Sequence, residues 1–123
     1  MEYETRWGTC ALNGYRIPCS GPLHLHHILN FSKARGNDRL RKLLATNPPE
    51  LTVLVCEGHN VSRWADSKQA RTRLLGHNAD RYGEARVRRV YERALSLLKV
   101  VPHEWGWDVV MDRSIGCMGT RLP

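Results

Sequence analysis

Two adjacent histidines, His26-His27, and the run Cys56-Glu57-Gly58-His59-Asn60 hold the side chains of this sequence best suited to chemistry. An unperturbed imidazole titrates near pH ~6.5, so at neutral pH it can take a proton from water, and either ring nitrogen can ligate a divalent metal. Neighbouring residues of an extended strand face opposite ways, so a tandem pair on a strand can serve two separate tasks. Cys56-x-x-His59 has the spacing of a zinc knuckle. Cys10, Cys19 and Cys117 complete the thiols, which in a reducing compartment are thiols or metal ligands rather than disulfides.

These groups need a scaffold to bring them together. Leu23-His24-Leu25-His26 alternates with a period of two and predicts a strand from Leu23 to Ile28, with His24 and His26 on one face and Leu25 and His27 on the other. Leu51-Thr52-Val53-Leu54-Val55 is apolar and largely β-branched, predicting a second strand that ends at Cys56. Between them, Asp38 is expected to cap a short helix carrying Leu40, Leu43 and Leu44, stopped by Asn47-Pro48-Pro49. A helix is expected to begin near Asn60 and run through Val61, Trp64 and Ala65 to about Leu75, with Gly76-His77-Asn78 as its stop. A last helix, from Asp80 or Glu84 to Lys99, carries Val87, Val90, Tyr91, Ala94 and Leu98 as an apolar stripe. Residues 1–22 are rich in turn formers, and 101–123 read as an irregular tail.

The 123 residues suit one domain: a core over 10–75, then a helical extension and tail over 79–123. The formal charge is +7, and 15 of the 19 basic residues are arginines, whose planar guanidinium binds phosphate bidentately. A polyanionic partner is therefore expected. No apolar run is long enough to cross a bilayer, and the opening residues Met1 to Trp7 lack the apolar stretch of a secretory signal. The expectation is an intracellular protein with no membrane partner and no small-molecule organic cofactor.

Cys10, Cys19, His26-His27-Ile28 and Cys56-x-x-His59-Asn60 together resemble the HNH, or His-Me finger, endonuclease superfamily in its zinc-bearing form, over residues 10–65. That resemblance implies an α+β fold with a small ββα-metal core, a structural zinc and here an additional C-terminal helix. It implies that His26 and Asn60 share a catalytic divalent metal, Mg²⁺ or Mn²⁺, and that His27 is the general base. It also implies a structural Zn²⁺ held by Cys10, Cys19, Cys56 and His59, a donor set that tetrahedral zinc accepts. An Asn at position 60 is similar to the phage endonuclease VII branch, and the setting implied is a phage, mobile element or defence system. The sequence departs from the family pattern in its first cysteine pair, Cys10-x8-Cys19, and in His59 standing where a cysteine is usual. The position of the family's middle Asn holds Leu51, next to Glu50, with Asn47 a few residues upstream. His59 has a second reading as a ligand of the catalytic metal, which would leave zinc to the cysteines with Cys117 as the fourth.

The activity implied is hydrolysis of DNA phosphodiesters to 5′-phosphate and 3′-hydroxyl ends. Arg35, Arg39, Arg41, Arg63, Arg71, Arg73, Arg86, Arg89 and Arg93 would supply contacts to the DNA backbone. Two other readings stand beside it: a zinc-stabilised module that binds nucleic acid without cutting it, and a structural zinc protein whose basic surface holds a protein or RNA. His24, His77 and His103 read as ordinary strand or surface residues, and Trp64 as a packing residue that could also stack on a base.

Overall fold

A computed structural model describes residues 10–62 and 64–111 of the chain. Strand β1 (Leu23–His27) pairs antiparallel with β2 (Thr52–Cys56), placing His26 opposite Val53 and His27 opposite Thr52. The connection between them is not extended. It folds as a 3-10 turn (Phe31–Ala34), helix α1 (Asp38–Ala45) and a second 3-10 turn (Pro49–Leu51). After β2 come α2 (Glu57–Val61), a 3-10 turn (Trp64–Asp66), α3 (Lys68–Tyr82), α4 (Glu84–Ser96), a 3-10 turn (His103–Trp105) and α5 (Trp107–Val110). The result is a small α+β arrangement of two antiparallel strands with helices packed around them.

Local chemistry explains most of the boundaries. Asn37, not Asp38, caps α1, its side chain accepting from the Leu40 amide at 3.0 Å while Asp38 occupies the first turn. The helix ends where Thr46 and Asn47 return their amides to Leu43 and Leu44, and Asn47 takes a left-handed φ of 51° before Pro48. An αL residue followed by proline is a common helix stop, and Asn tolerates that conformation better than most residues.

The helix expected from Asn60 to Leu75 is corrected by the structure. Its beginning is α2, which Cys56 caps through its sulfur, and the chain then breaks through the Trp64–Asp66 turn. Ser67 starts a new helix, α3, by accepting from the Ala70 amide at 3.0 Å. That helix passes through Gly76, His77 and Asn78 and stops only at Gly83, whose φ of 99° suits glycine. Asn78 is not a stop because its amide is bound elsewhere: Nδ2 donates towards the carbonyls of Pro49, Glu50 and Thr52 at 3.3, 3.0 and 3.0 Å. Tertiary bonding has overridden the local turn signal.

The core gathers Leu40 and Leu44 of α1, Leu51, Val53 and Val55, the Ala70, Leu74, Leu75 and Ala79 face of α3, and Val87, Tyr91, Ala94 and Leu95 of α4. Helix α4 ends at Ser96 rather than Lys99. Part of the region expected to be an irregular tail belongs to this core, since Trp105, Trp107 and Val110 are buried and the Tyr91 hydroxyl donates to the Trp105 carbonyl at 2.8 Å. Large aromatic side chains buried in this way carry more transfer energy than any other part of the segment. No helix among the described residues is long and apolar enough to cross a membrane.

Candidate functional site

The candidate metal cluster is built from the N-terminal loop, one strand end and one helix. Cys10 and Cys19 come from residues 10–22, Cys56 from the end of β2, and His59 from α2. Their four ligand atoms lie within 4.8 Å of one another. His59 Nδ1 is 3.0 Å from Cys56 Sγ and 3.8 Å from both Cys10 Sγ and Cys19 Sγ. Donors around one tetrahedral zinc stand about 3.5–3.8 Å apart, so the cluster fits that ion with little adjustment.

The surroundings fit as well. His59 Nε2 donates to the Tyr15 carbonyl at 2.7 Å, which leaves Nδ1 bare and turned to the thiols, as a ligating imidazole needs. Cys10 Sγ accepts from the amides of Leu12 and Cys56 at 3.4 and 3.2 Å. Burial pushes the Cys10 thiol up to about 12, opposed by those two amides. Burial also works against ionising Cys56, but hydrogen bonds, chiefly from the His59 and Ser20 amides, outweigh it and bring that thiol down to about 7. Cys56 is thus the readiest ligand, while Cys10 would release its proton to solvent only as a metal takes its place on the sulfur. The backbone draws these parts together, with Ala11 bonded to Leu54, Glu57 to Pro22 and Gly58 to Ser20. Gly21 (φ +79°) leaves no room for a side chain, because a Cβ there would stand 2.7 Å from Glu57 Cβ.

The two histidines of β1 turn in opposite directions, as strand geometry requires. His26 points inward and is 6% exposed, its Nδ1 3.3 Å from Asn60 Oδ1 on α2. Burial pushes its pKa below the usual imidazole value, with Asp66 and Asn60 opposing, so the ring is neutral at pH 7 and one nitrogen is bare. His27 points the other way, its Nε2 2.8 Å from Asn47 Oδ1, and the Phe31 ring stands edge-on to it with centroids 4.9 Å apart. Because Asn60 follows His59 directly, the metal cluster that holds α2 also sets where Asn60 stands.

No family model matches this chain, and neither does any curated protein or solved structure. What is established is therefore the small α+β arrangement and the Cys₃His cluster consistent with a structural Zn²⁺.

The structure brings Cys10, Cys19, Cys56 and His59 into one cluster, and His26 and Asn60 into contact beside it. Cys117 and Arg63 lie outside the described residues. Arg35, Arg39, Arg41, Arg73, Arg89 and Arg93 are exposed on the connection, α3 and α4. Two of the expected backbone contacts are engaged within the protein. Arg71 is buried, with its guanidinium 4.5 Å from the Trp105 ring centroid, so it packs the core rather than facing solvent. Arg86 is drawn onto the buried carboxylate of Glu50, an ion pair that ties α4 to the turn before β2. Reading the sequence alone missed Phe31, Asn30 and Asp66 near the histidines. Asn30 had a detectable signal, a cap-forming residue directly after a strand, while nothing local marks Asp66.

Proposed function

We propose that the protein is a metal-dependent DNA endonuclease of the HNH type, stabilised by a structural zinc. One observation carries the reading: adjacent histidines reach across different loops, one to Asn60 and the other to Asn47. Asn47 takes the place of the family's middle Asn although it lies upstream of the usual register.

The catalytic metal would be held by His26 Nδ1 and Asn60 Oδ1. Two neighbouring ligands of an octahedral Mg²⁺ stand about 3 Å apart, close to the 3.3 Å separation of this pair. Bound there, Mg²⁺ or Mn²⁺ would relieve negative charge on the scissile phosphate and the departing 3′ oxygen. An imidazole and an amide oxygen leave most of the coordination sphere to water and phosphate, which favours these ions over zinc.

His27 supplies the base. With Nε2–H donating to Asn47 Oδ1, the ring keeps a bare Nδ1, able to take the proton of an attacking water. Phe31 limits the ring's rotation from the side. Hydrolysis would leave 5′-phosphate and 3′-hydroxyl ends. The exposed arginines would hold the DNA by its phosphates, giving position without sequence preference.

The test incubates the protein with supercoiled plasmid and Mg²⁺, Mn²⁺ or EDTA beside a His27→Ala variant of verified zinc content. Metal-dependent nicking or linearisation that vanishes in the variant supports the reading. Salt-sensitive DNA binding with no cutting under any metal would replace it with a zinc module that only binds.

A further inference from the structure

Asp66 ends the Trp64–Asp66 turn that follows the Asn60 helix. Its Oδ1 lies 3.9 Å from His26 Nε2 and accepts from Asn30 Nδ2 at 3.1 Å. Asn30 is itself held, its Oδ1 accepting from the Ser32 amide at 3.1 Å as it caps the Phe31–Ala34 turn. His26 Nε2 is buried and makes no hydrogen bond among the described residues, although the opposite nitrogen faces Asn60.

A neutral imidazole carries its proton on one nitrogen only. With the proton on Nδ1, that nitrogen donates to Asn60 and a bare Nε2 lone pair is left facing a carboxylate. Two acceptors then confront each other where water is scarce, which is costly. With the proton on Nε2, the N–H faces the charged Asp66 carboxylate, and the bare Nδ1 meets Asn60 Oδ1 at 3.3 Å, an acceptor pair that a shared cation relieves, as does a turn of the Asn60 amide that presents its NH₂. Only the second arrangement lets both groups ligate one cation.

We propose that Asp66 is the positioning residue of the His26 ligand: its carboxylate, anchored by Asn30, takes the Nε2–H and fixes the ring in the tautomer whose Nδ1 can bind a divalent metal. The inference rests on the His26/Asn60 metal reading given above. The Asp66 side chain is 42% exposed, so it has room to rotate onto Nε2. Asp66 stands on the far side of the ring from Asn60, which makes it a support of the ligand and not a ligand itself. Carboxylates in this relation to a ligating histidine raise the donor strength of the ring. The competing acceptor is the Ala65 carbonyl of the same turn, which also faces His26.

The experiment uses the zinc-loaded full chain as wild type, Asp66→Ala, Asp66→Glu and His26→Ala, each with zinc content and thermal unfolding checked. The His26 tautomer is read from nitrogen-15 NMR of the ring at neutral pH without added Mn²⁺, and Mn²⁺ affinity from electron paramagnetic resonance of the free ion. The expected result is an Nε2–H ring in the wild type, a shift of the proton towards Nδ1 in Asp66→Ala, and a loss of about 10–100-fold in Mn²⁺ affinity that Asp66→Glu partly restores. A ring that keeps its Nε2–H in Asp66→Ala, with affinity changed by less than about twofold, overturns the proposal and gives the task to the Ala65 carbonyl. Equal Mn²⁺ binding by wild type and His26→Ala would instead remove the metal reading. The NMR comparison then still decides whether Asp66 sets the ring.

Discussion

Asn47 shows how one side chain can hold a local and a distant task at once. Its left-handed backbone ends α1, and its Oδ1 meets His27 at 2.8 Å. Glycine adopts that backbone freely, so Asn47→Gly should change stability by less than about 1 kcal/mol yet lower plasmid cleavage through loss of the brace. Asn47→Ala should lose the brace and add roughly 1–2 kcal/mol of backbone strain, measurable as a lower urea midpoint. Unchanged cleavage in the glycine variant would reduce Asn47 to a helix stop. His27→Ala should lower cleavage by about 10²–10⁴-fold, the usual worth of a general base, with zinc content and unfolding midpoint unchanged.

Elements are held together here by a few buried polar groups as much as by apolar faces. The Asn78 amide has two hydrogens for three carbonyls of the segment leading into β2, so α3 and the strand that ends at Cys56 are joined through one side chain. Asn78→Ala should cost about 2–3 kcal/mol in denaturant unfolding, with an unchanged m-value, because buried carbonyls lose their donor. Tyr91 joins α4 to the Trp105 segment, and burial pushes its phenol up to about 12 despite the nearby Arg71. Raised from 10 in the unfolded chain, that pKa means the folded state holds the proton more tightly. The resulting stability is fully present below pH 10 and is lost as pH rises through about 12. Tyr91→Phe should therefore be somewhat less stable at neutral pH but lose less between pH 10 and 12 than the wild type, as followed by circular dichroism. An equal alkaline loss in both would show that other groups dominate that range.

For the molecule as a whole, the Cys₃His cluster joins the end of β2 and the short helix α2 to the N-terminal loop, which has no helix or strand of its own to hold it. A structural zinc there would be folding energy outright. Metal analysis should return one tightly held zinc per chain, and a strong chelator should unfold the protein; a chain that keeps its circular dichroism after complete zinc removal would refute that role. Charge acts on the same scale. With a net +7 and exposed arginines on several elements, DNA affinity should fall steeply with salt. Replacing Arg35, Arg39 and Arg41 together by Ala should reduce the slope of log K against log salt by up to about 3, one for each phosphate that is no longer neutralised. An unchanged slope would move the DNA path away from the connection between the strands.

What the sequence determined by itself was local: the alternation that makes β1, the apolar run of β2, the apolar stripe of α4, and the knuckle spacing of Cys56 and His59 are all short-range patterns imposed by strand and helix periods. From these, the order strand, connection, strand, helix was legible, and with it the facing directions of His26 and His27. The tertiary structure decided what depended on partners distant in sequence. Gly76-His77-Asn78 reads as a stop, but the Asn78 amide is satisfied by carbonyls almost thirty positions earlier, so the helix continues. Arg71 reads as a surface cation, but Trp105 covers it. Asn47 meets His27 across twenty positions, and Asp66, held by Asn30, comes near His26 because a turn breaks the chain after α2. Short-range patterns specify which way a side chain faces on its own element. Only the packing of one element against another specifies what it meets there.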